Sequence, residues 1–380
     1  MSNDQLKYPL LPYSQLVFDM QKTNPDVYVS KSAVRLCKAD VDITRLKQAI
    51  EKAIRNHPVF SMHVDEEGRQ YYEVLPDAFH GQYHSIDFVD NGEYVDVYIQ
   101  GNRILGDGQS DVLVIEDVMR AYGGMSLQPD LYLEYLQQVE KTKQSSMYET
   151  HRQWLLKEFG DIQCPVHPIT DRPIMLQETP IEGTLLENYS DMRGRLENLA
   201  KEHLLPLTAF FSLVSALAMM EYNDAGEVAL TWAYDGRETQ EEQYIYGSLH
   251  RDIPFKINFK SQISNLKSDL IRQARNQFRS GIAHSSYPFT LTKPYSEIWN
   301  YALNVLVQHT MQEKTRQVLF PVEIIEPQEA SHIAYSLLDV EIYAGEILLI
   351  NFRYSATHYK ESSIRRFASL VRKYAEWLLE

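Results

Sequence analysis

The residues of this chain best placed to do chemistry lie in one short run, Val97-Tyr98-Ile99-Gln100-Gly101-Asn102-Arg103-Ile104-Leu105-Gly106-Asp107-Gly108-Gln109-Ser110. A β-like stretch, Tyr94 to Gln100, leads into Asp107-Gly108, which is a turn signal, and a helical pattern follows over Asp111 to Tyr122, stopped by Gly123-Gly124. A strand, a tight turn and a helix in that order bring Asn102, Arg103, Asp107 and Gly108 together. Arg103 cannot serve as a base, because a guanidinium holds its proton to above pH ~12. It can anchor a carboxylate or phosphate, or stabilise a developing oxyanion.

Other chemistries are excluded by what the sequence lacks. There is no Walker lysine loop, no G-x-G-x-x-G, no G-x-S-x-G elbow and no H-E-x-x-H. His80 and His84 have the i, i+4 spacing of a metal pair, but that spacing works only on a helix. Gly81 and the β-like surroundings predict loop histidines, so no metal site is expected.

Several elements must position the run. An apolar segment, Tyr8 to Met20, precedes an extended run, Val27 to Leu36. Ile43, Leu46, Ile50, Ala53 and Ile54 recur at helical spacing, and Pro58 closes that helix. Strands are predicted at Val59 to Val64 and Tyr71 to Leu75, and helices near Leu131 to Lys143 and Tyr148 to Phe159. The segment Cys164 to Pro180 holds Pro165, Pro168, Pro173 and Pro180 and reads as a linker. Beyond it come helices at Met192 to Lys201, Leu207 to Tyr222 and Ile263 to Phe278. Strands follow at Val228 to Ala233, Ala302 to Gln308, Gln317 to Ile325, Ile333 to Ile342 and Ile347 to Tyr354, then a closing helix, Ser362 to Leu379. Strands mixed with helices in both halves predict an α/β or α+β protein of two lobes. The expected division is a lobe over 1–163, a linker over 164–180 and a second lobe over 181–380.

Seven motifs in order resemble the condensation domains of nonribosomal peptide synthetases, relatives of chloramphenicol acetyltransferase. Leu11-Pro12-Tyr13-Ser14-Gln15 looks like the opening motif, and Asn56-His57-Pro58 like the family's second, a helix-to-strand junction. Tyr132-Leu133-Glu134-Tyr135 is similar to "Y-x-D-F", and Trp232-Ala233-Tyr234-Asp235-Gly236-Arg237 to the "P-x-A-G-R" strand. Tyr246-Gly247 to Pro254-Phe255 stands in the place of "G-x-F-V-N-T-x-P-L", and His284-Ser285-Ser286-Tyr287-Pro288-Phe289 resembles "H-Q-D-Y-P-F". Asn351-Phe352-Arg353-Tyr354 and the closing helix match the family's ending. The resemblance implies a pseudo-dimer of two chloramphenicol-acetyltransferase-like lobes with a channel at their interface.

Within that resemblance the chain departs at the central motif. The family's H-H-x-x-x-D-G, aligned on Asp107-Gly108, places Asn102 and Arg103 where two histidines belong. The second histidine is thought to act on the acceptor amine or hydroxyl, a task that suits imidazole near neutral pH. Ser61 replaces a usual arginine, and Arg251-Asp252 replaces "N-T", which leaves open the arginine expected to pair with Asp107. His250, beside Arg251, is the candidate replacement base, and Arg251 and His284 are candidate channel residues. The resemblance thus implies an amide- or ester-forming acyltransferase, altered or impaired by the loss of histidine. The alternative is an inactive domain that recruits a partner protein, as in the oxygenase-recruiting domains with a degenerate H-R-x-x-x-D-D. The acyl donor is expected to be a phosphopantetheine or coenzyme A thioester, with no bound cofactor. The expected partners are an acyl carrier protein and other enzymes of secondary metabolism.

Composition bounds the remaining partners. The chain has 37 basic and 52 acidic residues, a net charge of −15, and no basic stripe. That field repels nucleic acid and anionic membranes. Two distant cysteines, Cys37 and Cys164, give neither a disulfide framework nor a zinc site and suit a reducing compartment. No secretory signal is visible, and Leu207 to Met220 is shorter than the ~20 residues that span a bilayer. A cytoplasmic, freestanding protein beginning at Met1 is expected.

Overall fold

The structure is a computed structural model that describes residues 6–174, 180–258, 266–308, 318–325 and 336–380, with the backbone alone at 300. The chain divides into two compact units, and each is composite. The first holds described residues 6–142, 235–250 and 318–325. The second holds 143–174, 180–234, 251–258, 266–308 and 336–380. This corrects the expected division into 1–163 and 181–380. Both units contain strands and helices, the mixed α/β class expected.

In the first unit a four-stranded antiparallel sheet runs in the order Glu323–Ile325, Val29–Cys37, Tyr94–Asn102, His84–Asn91. Period-2 alternation along the third of these strands turns Val95 and Val97 inward and leaves Tyr94 and Tyr98 exposed. Helix Ile43–Asn56 is capped by Asp42, whose side chain accepts from Arg45 N at 3.0 Å. It buries Leu46, Ala49 and Ala53 with Val95, Val97 and Leu36 in one core, to which helix Gly108–Tyr122 adds Val118 and Met119. A small sheet of Lys7–Pro9, Arg69–Tyr72 and Met62–Val64 lies alongside in the same unit. Strand His84–Asn91 was not expected: its polar, histidine-bearing sequence reads as loop, and pairing with Tyr94–Asn102 decides it.

The second unit is built on a six-stranded sheet, ordered Glu182–Asn188, Leu348–Ser355, Leu338–Ala344, Asn304–Gln308, Glu227–Tyr234, Arg251–Asn258. Asn304–Gln308 runs parallel to both neighbours and the other pairs are antiparallel. Pro254 is tolerated because its strand is at the edge, where one missing N–H breaks no second ladder. Helix Leu207–Asn223 is apolar all round and buries every residue from Ala209 to Met220. No single described helix is long and apolar enough to cross a membrane.

The proline-rich segment is no free linker over its described part. Pro165 O accepts from Ala229 N at 3.0 Å, Val166 O from Leu303 N at 2.8 Å, and Pro168 O from Tyr359 Oη at 2.8 Å. Proline spacing signals an irregular backbone, and here the carbonyls that such a backbone leaves unpaired are satisfied by Ala229 in strand Glu227–Tyr234, by Leu303 just before strand Asn304–Gln308, and by Tyr359 just before the closing helix. Helix Ser146–Phe159 belongs to that unit as well. Residues 175–179, 263–265, 317 and 333–335 of the predicted linker, helix and strands lie outside the described residues.

Candidate functional site

The run that carries the expected chemistry ends at the N-terminus of helix Gly108–Tyr122. Asp107 is its N-cap and forms a capping box with Ser110: Ser110 N donates to Asp107 Oδ1 at 3.0 Å, and Asp107 N donates to Ser110 Oγ at 3.3 Å. Gly106 is required by close approach, since a Cβ there would meet Tyr246 Cε1 at 2.7 Å and Ser110 Cβ at 2.9 Å.

The partner of Asp107 is Arg237. Its guanidinium is two-pronged on the carboxylate, Nη1 to Oδ2 at 3.0 Å and Nη2 to Oδ1 at 3.1 Å. The Arg237 side chain is 0% exposed and Asp107 5%. Arg237 Nη2 also donates to Ile245 O at 3.0 Å and Gly247 O at 3.1 Å, and Nη1 bonds Asp235. Asp107 Oδ2 further accepts from Leu249 N at 2.9 Å and His250 N at 3.2 Å. Burial alone would raise the Asp107 pKa. Arg237 and the donors around it override that and hold it below the usual carboxylate range. Sequence reasoning missed Arg237 as this partner, although its place at the end of the "P-x-A-G-R"-like stretch was a signal for it.

Arg103 is not paired with Asp107. Its Nη1 reaches Asp111 Oδ2 at 3.2 Å, one turn into the helix, and its backbone N–H donates to Tyr28 O at 3.1 Å. Its side chain is 31% exposed. Burial works against its charge, but Asp111 and the phenols of Tyr246 and Tyr13 raise its pKa, so it is a permanent cation. Asn102 is a turn anchor: its carboxamide exchanges hydrogen bonds with that of Gln21, both at 3.2 Å, and accepts from Ile104 N at 3.0 Å.

His250 is brought to the same place. Besides its N–H on Asp107, its ring lies edge-on to Tyr13 with centroids 3.9 Å apart, and Tyr13 meets Tyr28 at 5.8 Å. The first unit therefore collects Tyr13, Tyr28, Arg103 and His250 around the start of the motif helix. Arg251 and His284 fall in the second unit: Arg251 Nη1 donates to Ser285 Oγ at 2.9 Å, and the His284 ring stacks on Trp154.

A second buried network supports the first. His57 is 2% exposed, with Nδ1 2.7 Å from Asp130 Oδ2 and Nε2 3.4 Å from Asp117 Oδ2. Burial alone would depress its pKa, but the two carboxylates outweigh burial and raise it. Asp130 Oδ2 also accepts from Tyr246 N at 2.9 Å, and the Tyr246 ring packs against Phe60 at 4.6 Å. His80 and His84 serve locally: His80 bridges Asp77 and Asp87, and buried His84 Nε2 donates to Ala78 O at 3.0 Å. Among the described residues, no group of three His, Cys, Asp or Glu converges to hold a metal ion.

Comparison with known proteins places this architecture. The family model described as Condensation domain matches residues 103–380. A polyketide synthase-nonribosomal peptide synthetase of Aspergillus flavipes, ffsA, is 24% identical over 197 residues, 48% of this chain and only 5% of that protein. Two solved structures share the fold. One is a mutant of the starter condensation domain of rhizomide synthetase RzmA in complex with C8-CoA, with TM-score 0.74 and 14% identity over 98% of this chain and 95% of that one. The other is the complex of the X-domain and OxyB from teicoplanin biosynthesis, with TM-score 0.76 and 14% identity over 100% and 93%. With the family model covering both the capped motif helix and the six-stranded sheet, the chain belongs to the condensation-domain family.

Proposed function

We propose that this chain transfers an acyl group from a carrier- or CoA-bound thioester to an amine or alcohol, with His250 as the base and Arg103 as a fixed cation. The observation that carries this reading is the tie of His250 to the motif helix, through its N–H on Asp107 and its ring against Tyr13. The buried Asp107–Arg237 pair holds both Ser110 and the 245–250 segment, so it fixes where His250 sits. His250 would accept the proton of the attacking amine or hydroxyl. Arg103 would stabilise the negative charge that builds on the thioester oxygen. Holding the acceptor and thioester in contact supplies much of the acceleration when the acceptor is an intrinsically reactive amine. The solved neighbour that binds C8-CoA supports a thioester donor, and the multidomain relative supports carrier-protein partners. Asn102, Asp107 and Gly108 are scaffold in this reading, and Arg103 departs from the family's histidine.

A specific observation favours a second reading, a domain that recruits a partner without catalysis. The guanidinium at the aligned histidine position is engaged by Asp111, and an X-domain solved with OxyB has this fold. One experiment separates the two. The purified protein is given a panel of acyl-CoA and acyl-pantetheine thioesters with amine and alcohol acceptors, and free thiol is measured. Release that falls at least tenfold in His250→Ala and in Arg103→Ala supports acyl transfer. No release across the panel refutes it and leaves recruitment, to be pursued by capture of a partner.

A further inference from the structure

A second cluster of chemistry-bearing residues lies wholly within the other unit and is not used by the motif loop. Helix Ser146–Phe159 presents His151, Trp154 and Glu158 on one face. Helix Leu266–Ala283 passes Ser280 near its end, and the turn beyond it carries His284, Ser285 and Ser286. His151 Nδ1 lies 2.5 Å from Ser286 Oγ, a hydrogen-bonding contact shorter than usual.

The surroundings prepare that contact for proton transfer. The His284 ring is stacked on Trp154 at 4.0 Å and 13°, and meets His151 edge-on at 5.0 Å. His284 Nδ1 donates to Ser280 O at 2.8 Å, which fixes its ring. Partial burial, with His284 beside it, holds the His151 pKa below the ordinary histidine value. A neutral imidazole at pH 7 has a lone pair for the Ser286 proton. Arg251, on Ser285 Oγ, sets a positive charge at the adjacent residue. His151 and Ser286 are both partly exposed, so reagents can reach them. A cavity of about 720 Å³ adjoins the cluster, lined among others by Trp154, Glu158, Gln277 and Ser280. It is of the size that takes a small organic ligand, and Gln277 Oε1 has no hydrogen-bond partner among the described residues.

We infer that Ser286 and His151 form a nucleophile–base pair that accepts an acyl group from a thioester or activated ester. Ser286 Oγ attacks the acyl carbon while its proton passes to His151 Nδ1. The carbon–sulfur bond then breaks, and the departing thiolate takes that proton from His151 to leave as free thiol. The product is an ester on Ser286, with no redox change. The pair shares no residue with the His250 and Arg103 site, so it succeeds or fails independently of the reading above.

The test uses the full chain with p-nitrophenyl butyrate and, separately, S-butyryl-N-acetylcysteamine, followed by intact mass and peptide mapping. The expected result is one butyryl group on the Ser286 peptide, formed faster as pH rises through the deprotonation of His151. Ser286→Ala should abolish it, and His151→Phe should slow it at least tenfold, with His151→Gln as the second variant if Phe disturbs folding. Folding of each variant is checked by circular dichroism. A folded wild-type protein that gains no label at Ser286 overturns the inference. So does label on lysine or cysteine alone, or labelling of Ser286 at an unchanged rate in both folded His151 variants.

Discussion

Arg237→Ala is the perturbation whose size follows most directly from the structure. It removes a two-pronged donor from a carboxylate that is 5% exposed, and leaves Asp107 charged and buried. Breaking one side of a buried pair typically costs ~3–5 kcal/mol. Asp107 keeps its bonds from Ser110, Leu249 and His250, which argues for the lower end, about 3 kcal/mol. The sign with pH is a second check. In the wild type the Asp107 pKa is depressed, so its contribution is present above the unfolded value of ~3.9 and fades as pH falls through the folded one. In the variant, burial is opposed only by the remaining hydrogen bonds, so the Asp107 pKa rises and protonation relieves part of the penalty as pH falls. The destabilisation should therefore be largest near pH 7.5 and smaller at pH 5. All four tryptophans, Trp154, Trp232, Trp299 and Trp377, lie in the second unit, so their emission is the wrong probe. Hydrogen exchange of peptides from the 94–122 region is the right one, and about 3 kcal/mol corresponds to roughly a hundredfold faster exchange there. A change below ~1 kcal/mol, or a penalty that grows on acidification, would refute the reasoning.

Gly106→Ala should cost about 1–3 kcal/mol by overpacking, because Tyr246 is wedged against Phe60 and His57 and cannot yield; thermal unfolding checks it. Asp111→Asn should change stability by less than ~1 kcal/mol, since the pair with Arg103 is about one-third exposed on each side; a matched urea titration measures it. His57, pinned by Asp117 and Asp130, should titrate above the usual ~6.5 in a proton NMR experiment, and its stabilising effect should be full below that pH and decline as pH rises through the folded value. The Cys164 thiol, pushed up to about 11 by burial, should react with a disulfide reagent far more slowly at pH 8 than an ordinary thiol of pKa ~8.5.

Local signals carried some of this structure and long-range ones did not. Asp107-Gly108 announced the turn and helix because a cap and its helix are neighbours in sequence. The spacing of Leu46 and Ala53 showed the buried stripe of Ile43–Asn56 for the same reason. Arg237 lies 130 residues from Asp107, and nothing local couples them. Arg103 reaches forward to Asp111, a helical register that emerges only once the helix start is fixed at Gly108. Strand Glu182–Asn188 carries few β-branched residues and owes its state to pairing with Leu348–Ser355.

The composite build of the first unit sets where this chain can be cut. A fragment ending at 163 would keep Asp107 but lose Arg237, the Leu249 and His250 amides, and the edge strand Glu323–Ile325. Its motif helix would start from an uncompensated buried anion. Splitting the protein into two complementary fragments, or grafting its first part onto a foreign second part, therefore separates a charge from its counterion. Swaps that respect the fold must carry residues 235–250 and 318–325 along with the N-terminal stretch.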